Sequence, residues 1–194
     1  MKRALLVIDA QKIYTAKGSE LFCPDSAATV ERINRLIQSF ESCGEPIYLI
    51  RHVHRADGSD LGRMFDFQGR WDGNFNFKAG TEEVEYDKKL LRPAGAVEML
   101  KNRYSSFANT DLHGELQKAG VDTVVICGFM TNFCCDTSAR DAHDLDYYVD
   151  FVIDATGTPG TAHMEEEAVR RAEADFMQGG FARVMATEEF LTNR

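Results

Sequence analysis

The apolar positions of this chain change period along its length, from short unbroken runs to stripes three or four residues apart and back again. Arg3 to Ile8 is a run of leucine and β-branched residues that ends in Asp9-Ala10-Gln11, as a central strand covered on both faces does. From Ser26 to Ser42 the residues Ala27, Val30, Ile33, Leu36, Ile37 and Phe40 recur at helical spacing, which predicts a helix with Ser26 as N-cap and Gly44 as stop. Pro46 to Arg51 reads as a second strand, and strand-helix-strand order implies a parallel pair with a right-handed crossover. His54 to Pro93 is rich in Gly, Asp, Arg and aromatics, has weak periodicity, and is too long for an ordinary connection; it reads as a lid or an oligomer contact. Val97 to Leu100 predicts a third strand leading into Lys101, Asp111 to Ala119 a helix stopped by Gly120, and Asp122 to Cys127 a fourth strand followed by a helix from about Asn132 to Asp144. Tyr147 to Ile153 predicts a fifth strand, Thr161 to Met177 an acidic amphipathic helix, and Ala182 to Met185 the last strand. Such alternation gives an α/β fold, a doubly wound parallel sheet with helices on both faces.

Composition narrows the class. A chain of 194 residues fits one compact domain, residues 1–194, with 54–93 as its lid. Its net charge of −9 offers no footprint for a phosphate backbone, so no nucleic-acid partner is expected. Asp9 ends the first apolar run too early for a signal-peptide core, and no segment is long enough to span a bilayer, so no membrane partner is expected. Cysteines at Cys23, Cys43, Cys127, Cys134 and Cys135, odd in number and irregularly spaced, argue against a disulfide framework and for a reducing cytoplasm.

In open parallel sheets ligands bind beyond the carboxyl ends of the strands. Asp9 follows the first strand, Lys101 the third, and Cys134 opens the helix after the fourth, so all three meet at one rim. A helix start would lower the pKa of the Cys134 thiol and stabilise a developing oxyanion. Asp9 can take the thiol proton and pass it to a leaving amine, while Lys101 holds the thiolate or holds Asp9. The backbone N–H groups of Cys134 and of a residue just upstream would form the oxyanion hole. Each residue alone has a blander use, as packing cysteine, turn aspartate or surface lysine. Together they are what covalent acyl transfer requires.

Asp9 with Gln11, Lys101-Asn102-Arg103-Tyr104-Ser105-Ser106-Phe107 with Thr110-Asp111-Leu112, and Gly128-Phe129-Met130-Thr131-Asn132-Phe133-Cys134 running into Thr137-Ser138-Ala139-Arg140-Asp141-Ala142 resemble the isochorismatase-like cysteine hydrolase superfamily. The likeness continues through Val152-Ile153-Asp154-Ala155-Thr156, His163 and Phe181-Ala182-Arg183-Val184, nearly the whole chain. It implies a three-layer sandwich on a six-stranded parallel sheet and a triad of Asp9, Lys101 and Cys134. It also implies a non-proline cis peptide joining Phe129 to Met130, an oxyanion hole of the Met130 and Cys134 amides, and a homo-oligomer, dimer or tetramer. The residue after the nucleophile is commonly a small aliphatic in this superfamily; here it is Cys135, and the spacing from Thr131-Asn132 favours Cys134 of the two sulfurs.

Branches of the superfamily differ in chemistry. The isochorismate-cleaving branch hydrolyses a vinyl ether with the aspartate as general acid and can do without the cysteine, so Cys134 favours the branches that hydrolyse C–N bonds. Nicotinamidases add a metal held by an aspartate and two histidines. Here the matching stretch has His52 and His54, two apart and facing the same way, with Asp57 and Asp60 as stand-ins for the missing aspartate. The other reading is that these histidines hydrogen-bond the lid, and no metal or other cofactor is assigned. His52 to Asp60 looks more like the ureido and N-carbamoyl amide hydrolases, which makes a small amide or ureide the expected substrate class. Gln11, Trp71, Tyr104, Phe129 and Phe133 are the expected substrate-binding residues, the aromatics as walls of a small planar pocket. Arg51, Arg70 or Arg92 would suit a substrate carboxylate, and each equally suits a surface or interface. A non-catalytic alternative makes Cys134 and Cys135 a redox-sensing or structural pair in a scaffold that binds a partner through the acidic face of the 161–177 helix.

Overall fold

A computed structural model of the chain describes residues 1–66 and 74–194. Six strands form one parallel sheet: β1 (Arg3–Ile8), β2 (Ile47–His52), β3 (Val97–Lys101), β4 (Thr123–Phe129), β5 (Tyr148–Gly157) and β6 (Arg183–Met185). Their spatial order is β3-β2-β1-β4-β5-β6, so the order reverses beside β1, where β2 and β4 flank it. The central strands carry apolar residues on both faces because both faces are covered. Leu5, Val7, Leu49, Val125 and Cys127 pack under α2 (Ser26–Cys43) and α6 (Thr187–Thr192). Leu6, Ile8, Ile50, Val124 and Ile126 pack under α3 (Leu112–Lys118) and α4 (Asp136–Asp144). Each such fully buried side chain contributes about 1.5–3 kcal/mol.

α2 buries Val30, Ile33, Leu36, Ile37 and Phe40, the stripe its spacing predicts. Gly44 ends it at φ 66°, a left-handed turn that glycine adopts without steric cost. Ser26 is the first helical residue and Asp25 precedes it, one position earlier than the expected cap. Two short helices carry no readable period: α1 (Lys12–Thr15) and α6. The acidic helix α5 (Glu166–Gln178) starts five residues later than Thr161. Thr161 instead closes a turn, its N–H donating to the Met164 carbonyl at 2.8 Å and its Oγ1 accepting from the N–H of Met164 at 3.0 Å. β5 runs on past Ile153 because β4, after a register shift between Ile126 and Gly128, pairs with its far end at Thr156 and Gly157.

The described parts of the long segment, 54–66 and 74–93, are folded down on the sheet. Leu61, Phe65, Phe75, Phe77, Val84, Tyr86 and Leu90 are buried in the same core as α2. Tyr86 donates its hydroxyl to the Leu49 carbonyl at 2.9 Å, and the N–H of His54 donates to the Phe77 carbonyl at 2.7 Å. Among the described residues no helix is long and apolar enough to cross a membrane.

Candidate active site

Sheet register brings three strand ends to one place. Ile8 pairs with Ile50 of β2 and Gly128 of β4, and His52 pairs with Lys101. Asp9 turns off β1 at φ 51°, a left-handed conformation that aspartate tolerates better than most residues. Gly128 lies against it at φ 126°, where an added Cβ would sit 1.9 Å from the Ile8 carbonyl oxygen. Only glycine lets β4 approach β1 this closely. β4 then leaves the sheet through the Phe129–Met130 peptide, which is cis. Thr131–Cys135 form one π-type turn and α4 follows, so the expected helix from Asn132 starts as this wider turn. Thr131 Oγ1 donates to Thr156 Oγ1 at 2.9 Å, and Thr158 Oγ1 donates to Asn132 Oδ1 at 2.9 Å, tying the turn to β5 and the residue just beyond it.

The three candidate reactive groups meet. Lys101 Nζ is 2.8 Å from Asp9 Oδ2 and 3.2 Å from Cys134 Sγ, and it donates to the Arg103 carbonyl at 3.0 Å. Those three contacts use the ammonium's donors, so the lysine is fixed. All three side chains are buried. Burial raises the Asp9 pKa, with Lys101 opposing the rise. Burial would lower Lys101, but Asp9 and Cys134 beside it hold its pKa above the usual value. The Cys134 thiol is pushed up to about 12, first by burial and then by Asp9, with Lys101 opposing. The lowered thiol pKa expected of a helix start is therefore not what the fold provides: the sulfur is 1% exposed, and desolvation outweighs the charge beside it. The arrangement suits a thiol that loses its proton to a raised carboxylate as it attacks.

A narrow cavity of about 110 Å³ opens on the sulfur. Cys134, Met130, Tyr104 and Phe133 line it, with the Tyr104 and Phe133 rings 5.3 Å apart. Gln11 and Phe129 are not among its lining residues. Gln11 is a buried brace: its amide donates to the carbonyls of His52 at 3.0 Å and Val84 at 2.9 Å and accepts from the His52 N–H at 2.9 Å. Phe129 is fully buried and stacks on Tyr14 at 5.5 Å. Trp71 and Arg70 lie outside the described residues. Arg51 pairs with Glu85 and Arg92 with Glu98, each at 3.5 Å, and neither lines the cavity. Tyr14, His52, Phe65 and Phe77 are also on its walls, beside the polar Glu20 and Asn76. Of these only His52 carries a sequence signal, its spacing from His54; Phe65 and Phe77 are placed by the fold of the cover and Tyr14 by the short helix α1.

His52 and His54 face each other, Nε2 to Nε2 at 3.1 Å. The carboxylates offered as further metal ligands do not join that pair. Asp57 accepts the Ser59 N–H at 3.0 Å on the surface, and Asp60 lies 3.4 Å from His54 Nδ1, on the opposite edge of the ring. Among the described residues, the metal-ligating groups that converge are Asp9, His52 and Cys134, within 4.8 Å of one another. The Lys101 ammonium already sits against two of the three, so this donor set does not fit a resident cation.

Comparison with known proteins gives the same picture at the level of whole chains. The Isochorismatase domain model matches residues 3–189. Nicotinamidase 3 of Arabidopsis thaliana is 32% identical over 160 residues, covering 80% of this chain and 73% of its own. A ureidoacrylate amidohydrolase, RutB of Methylorubrum extorquens, is 27% identical over 97% of this chain and 82% of its own. The crystal structure of a cysteine hydrolase from Pseudomonas syringae pv. phaseolicola superposes with a TM-score of 0.90 at 30% identity, covering 98% of this chain and 91% of that one.

Proposed function

Because the chain belongs to the isochorismatase family of hydrolases, which includes amidohydrolase relatives, we propose that it cleaves a C–N bond of a small amide or ureido/N-carbamoyl compound through a thioester on Cys134. One observation carries the reading: a single buried ammonium within 2.8 Å of Asp9 and 3.2 Å of Cys134, at the wall of a small cavity. The Cys134 sulfur attacks the carbonyl carbon as its proton passes to Asp9. The carbonyl oxygen becomes an oxyanion against the Met130 and Cys134 amides. Asp9 returns the proton to the nitrogen, the C–N bond breaks, and ammonia or an amine leaves. Water then attacks the thioester carbon, giving one proton to Asp9; the C–S bond breaks, the acid departs, and the proton returns to sulfur. Lys101 keeps Asp9 ionised between steps and stabilises the thiolate as it forms.

A cavity of this size takes a small molecule, and its aromatic walls at Tyr104, Phe133, Phe65 and Phe77 suit a planar one. The same reading carries a cytoplasmic homo-oligomer, dimer or tetramer; exposed Val97 and Leu100 on the edge strand β3 are apolar surface that assembly would cover. The test is a screen of small amides and ureides for ammonia release, repeated with Cys134→Ala. Turnover should fall by about 10³-fold or more on every substrate found. Undiminished release by the variant, or isochorismate hydrolysis that depends on Asp9 alone, would replace this chemistry with one that leaves the sulfur idle.

A further inference from the structure

Of the polar residues that line the cavity outside the triad, which include Glu20, Asn76 and Tyr104, His52 lies beside Asp9 and Cys134. His52 is buried and lines the pocket, one of its ring nitrogens lies within 4.8 Å of both the Asp9 carboxylate and the Cys134 sulfur, and its Nδ1 has no hydrogen-bond partner. Behind it runs a chain of polar side chains, His54 buried and Asp60 partly exposed. His52 Nε2 meets His54 Nε2 at 3.1 Å, and His54 Nδ1, which makes no hydrogen bond, lies 3.4 Å from Asp60 Oδ1. That last contact is long for a hydrogen bond, and its pull is mainly electrostatic. Asp60 is itself pinned: its carboxylate accepts from the Arg55 N–H at 2.9 Å and the Asn102 amide at 3.2 Å, and its carbonyl accepts from Arg103 at 2.9 Å.

Proton accounting gives this chain a direction. Burial would raise the Asp60 pKa, but the Arg55 N–H and the Asn102 amide hold it below the usual carboxylate range, so Asp60 is an acceptor only. The charge of Asp60 favours the His54 tautomer with its hydrogen on Nδ1, on the side of that carboxylate. A neutral His54 must accept at Nε2, and the hydrogen in the 3.1 Å contact belongs to His52 Nε2. Burial, with the Lys101 charge, keeps His52 well below the ordinary imidazole value; burial also lowers His54, against the pull of Asp60. Both rings are neutral at pH 7. The flat face of His52 stacks on Phe77 at 4.2 Å, which fixes the ring plane.

We infer that Asp60, His54 and His52 form an orienting relay that locks His52 in its Nε2-protonated tautomer and leaves Nδ1 as a hydrogen-bond acceptor at the pocket, for an N–H of the substrate or an O–H of the hydrolytic water. His52 thus binds the substrate or the water directly, and His54 and Asp60 are positioning residues that act through it. The depressed basicity of His52 makes it a poor proton acceptor and a good fixed dipole. The inference rests on the proposed hydrolase reading only for what the acceptor binds; the tautomers are readable without any substrate.

The experiment is nitrogen-15 NMR of the full chain labelled at histidine, with His52→Gln and His54→Gln to assign the two rings. The expected wild-type result at pH 7 is two neutral rings, His52 protonated on Nε2 and His54 on Nδ1. In Asp60→Ala the His54 ring should lose its single tautomer, and kcat/KM on a substrate found by the screen should fall about tenfold, the size of one misplaced hydrogen bond. If the variant fails to fold, the wild-type spectrum still decides. His52 protonated on Nδ1, either ring charged at pH 7, tautomers unchanged in a folded Asp60→Ala, or stoichiometric zinc bound between the two imidazoles would each overturn the relay. A loss of substrate turnover on Asp60→Ala unaccompanied by any tautomer change would also count against it. An N–H donor is indicated if the effect falls on KM, and the hydrolytic water if it falls on kcat with KM unchanged.

Discussion

On the Cys134 side of the cavity the wall is carried on β4, the Thr131–Cys135 turn and α4, and held by short bonds such as Thr131 to Thr156 and Ser106 N–H to Ser138 Oγ, each at 2.9 Å. The cover's part of the wall is Phe65 and Phe77, from a segment without periodicity, held by packing and ring contacts such as Phe77 on His52 at 4.2 Å. The first wall is fixed by sheet register and tolerates almost no change of shape. The second is fixed by apolar fit, which tolerates exchange of one ring for another at modest cost. On the proposed function, chemistry belongs to the stiff wall and substrate selection to the adaptable one, so substitutions in the two should separate kcat from KM.

The largest effect that would sharpen this contrast is at Gly128. A Cβ there meets the Ile8 backbone oxygen at 1.9 Å, so Gly128→Ala must push β1 and β4 apart beneath Asp9. A loss of about 4 kcal/mol or more of stability, seen as a fall of the urea midpoint, is expected. On the cover, Phe65→Ala should raise KM about tenfold while kcat stays within about threefold, read by steady-state kinetics. A kcat collapse in that variant would break the contrast.

The smallest effect concerns the back of the stiff wall. Asp136, the first residue of α4, faces Glu173 of α5, and Glu173 is raised from 4.5 to about 8 by burial and then by Asp136, with Arg140 opposing. Its folded-state pKa lies above its unfolded one. The stabilising contribution of the protonated carboxyl is therefore complete below pH 4.5 and is lost as pH rises through about 8. Glu173→Gln should flatten the melting-temperature profile across that window and melt about 2 °C above wild type at pH 8. An unchanged profile would mean that the pair does not titrate there.

The stiff wall was legible in the sequence and the adaptable one was not. Asp9, Lys101 and Cys134 are far apart in the chain, but each follows a strand whose apolar run is visible, and parallel strands in register must bring their ends together. The resemblance likewise implied the cis peptide at Phe129–Met130, which is present. Tyr14, Phe65 and Phe77 carry no comparable signal, because a residue in an aperiodic segment is placed by where that segment lands. Gln11 and Phe129 were expected at the substrate on residue type and position, but neither says which way a side chain turns. Gln11 turns to orphaned backbone groups of His52 and Val84, and Phe129 turns to Tyr14. The thiol's pKa departs from the helix-start expectation for a related reason: the helix start is local and readable, whereas the burial that outweighs it belongs to the whole fold.

The most direct test of the Asp9–Lys101–Cys134 centre is rapid acid quench of the enzyme during turnover of an amide found by the screen, followed by intact-protein and peptide mass measurement. The account predicts an acyl mass added to the peptide that contains Cys134, formed and lost at rates consistent with turnover. Turnover with no acyl mass on that peptide under conditions where deacylation is slowed, or an acyl group on Cys135 in its place, would contradict it.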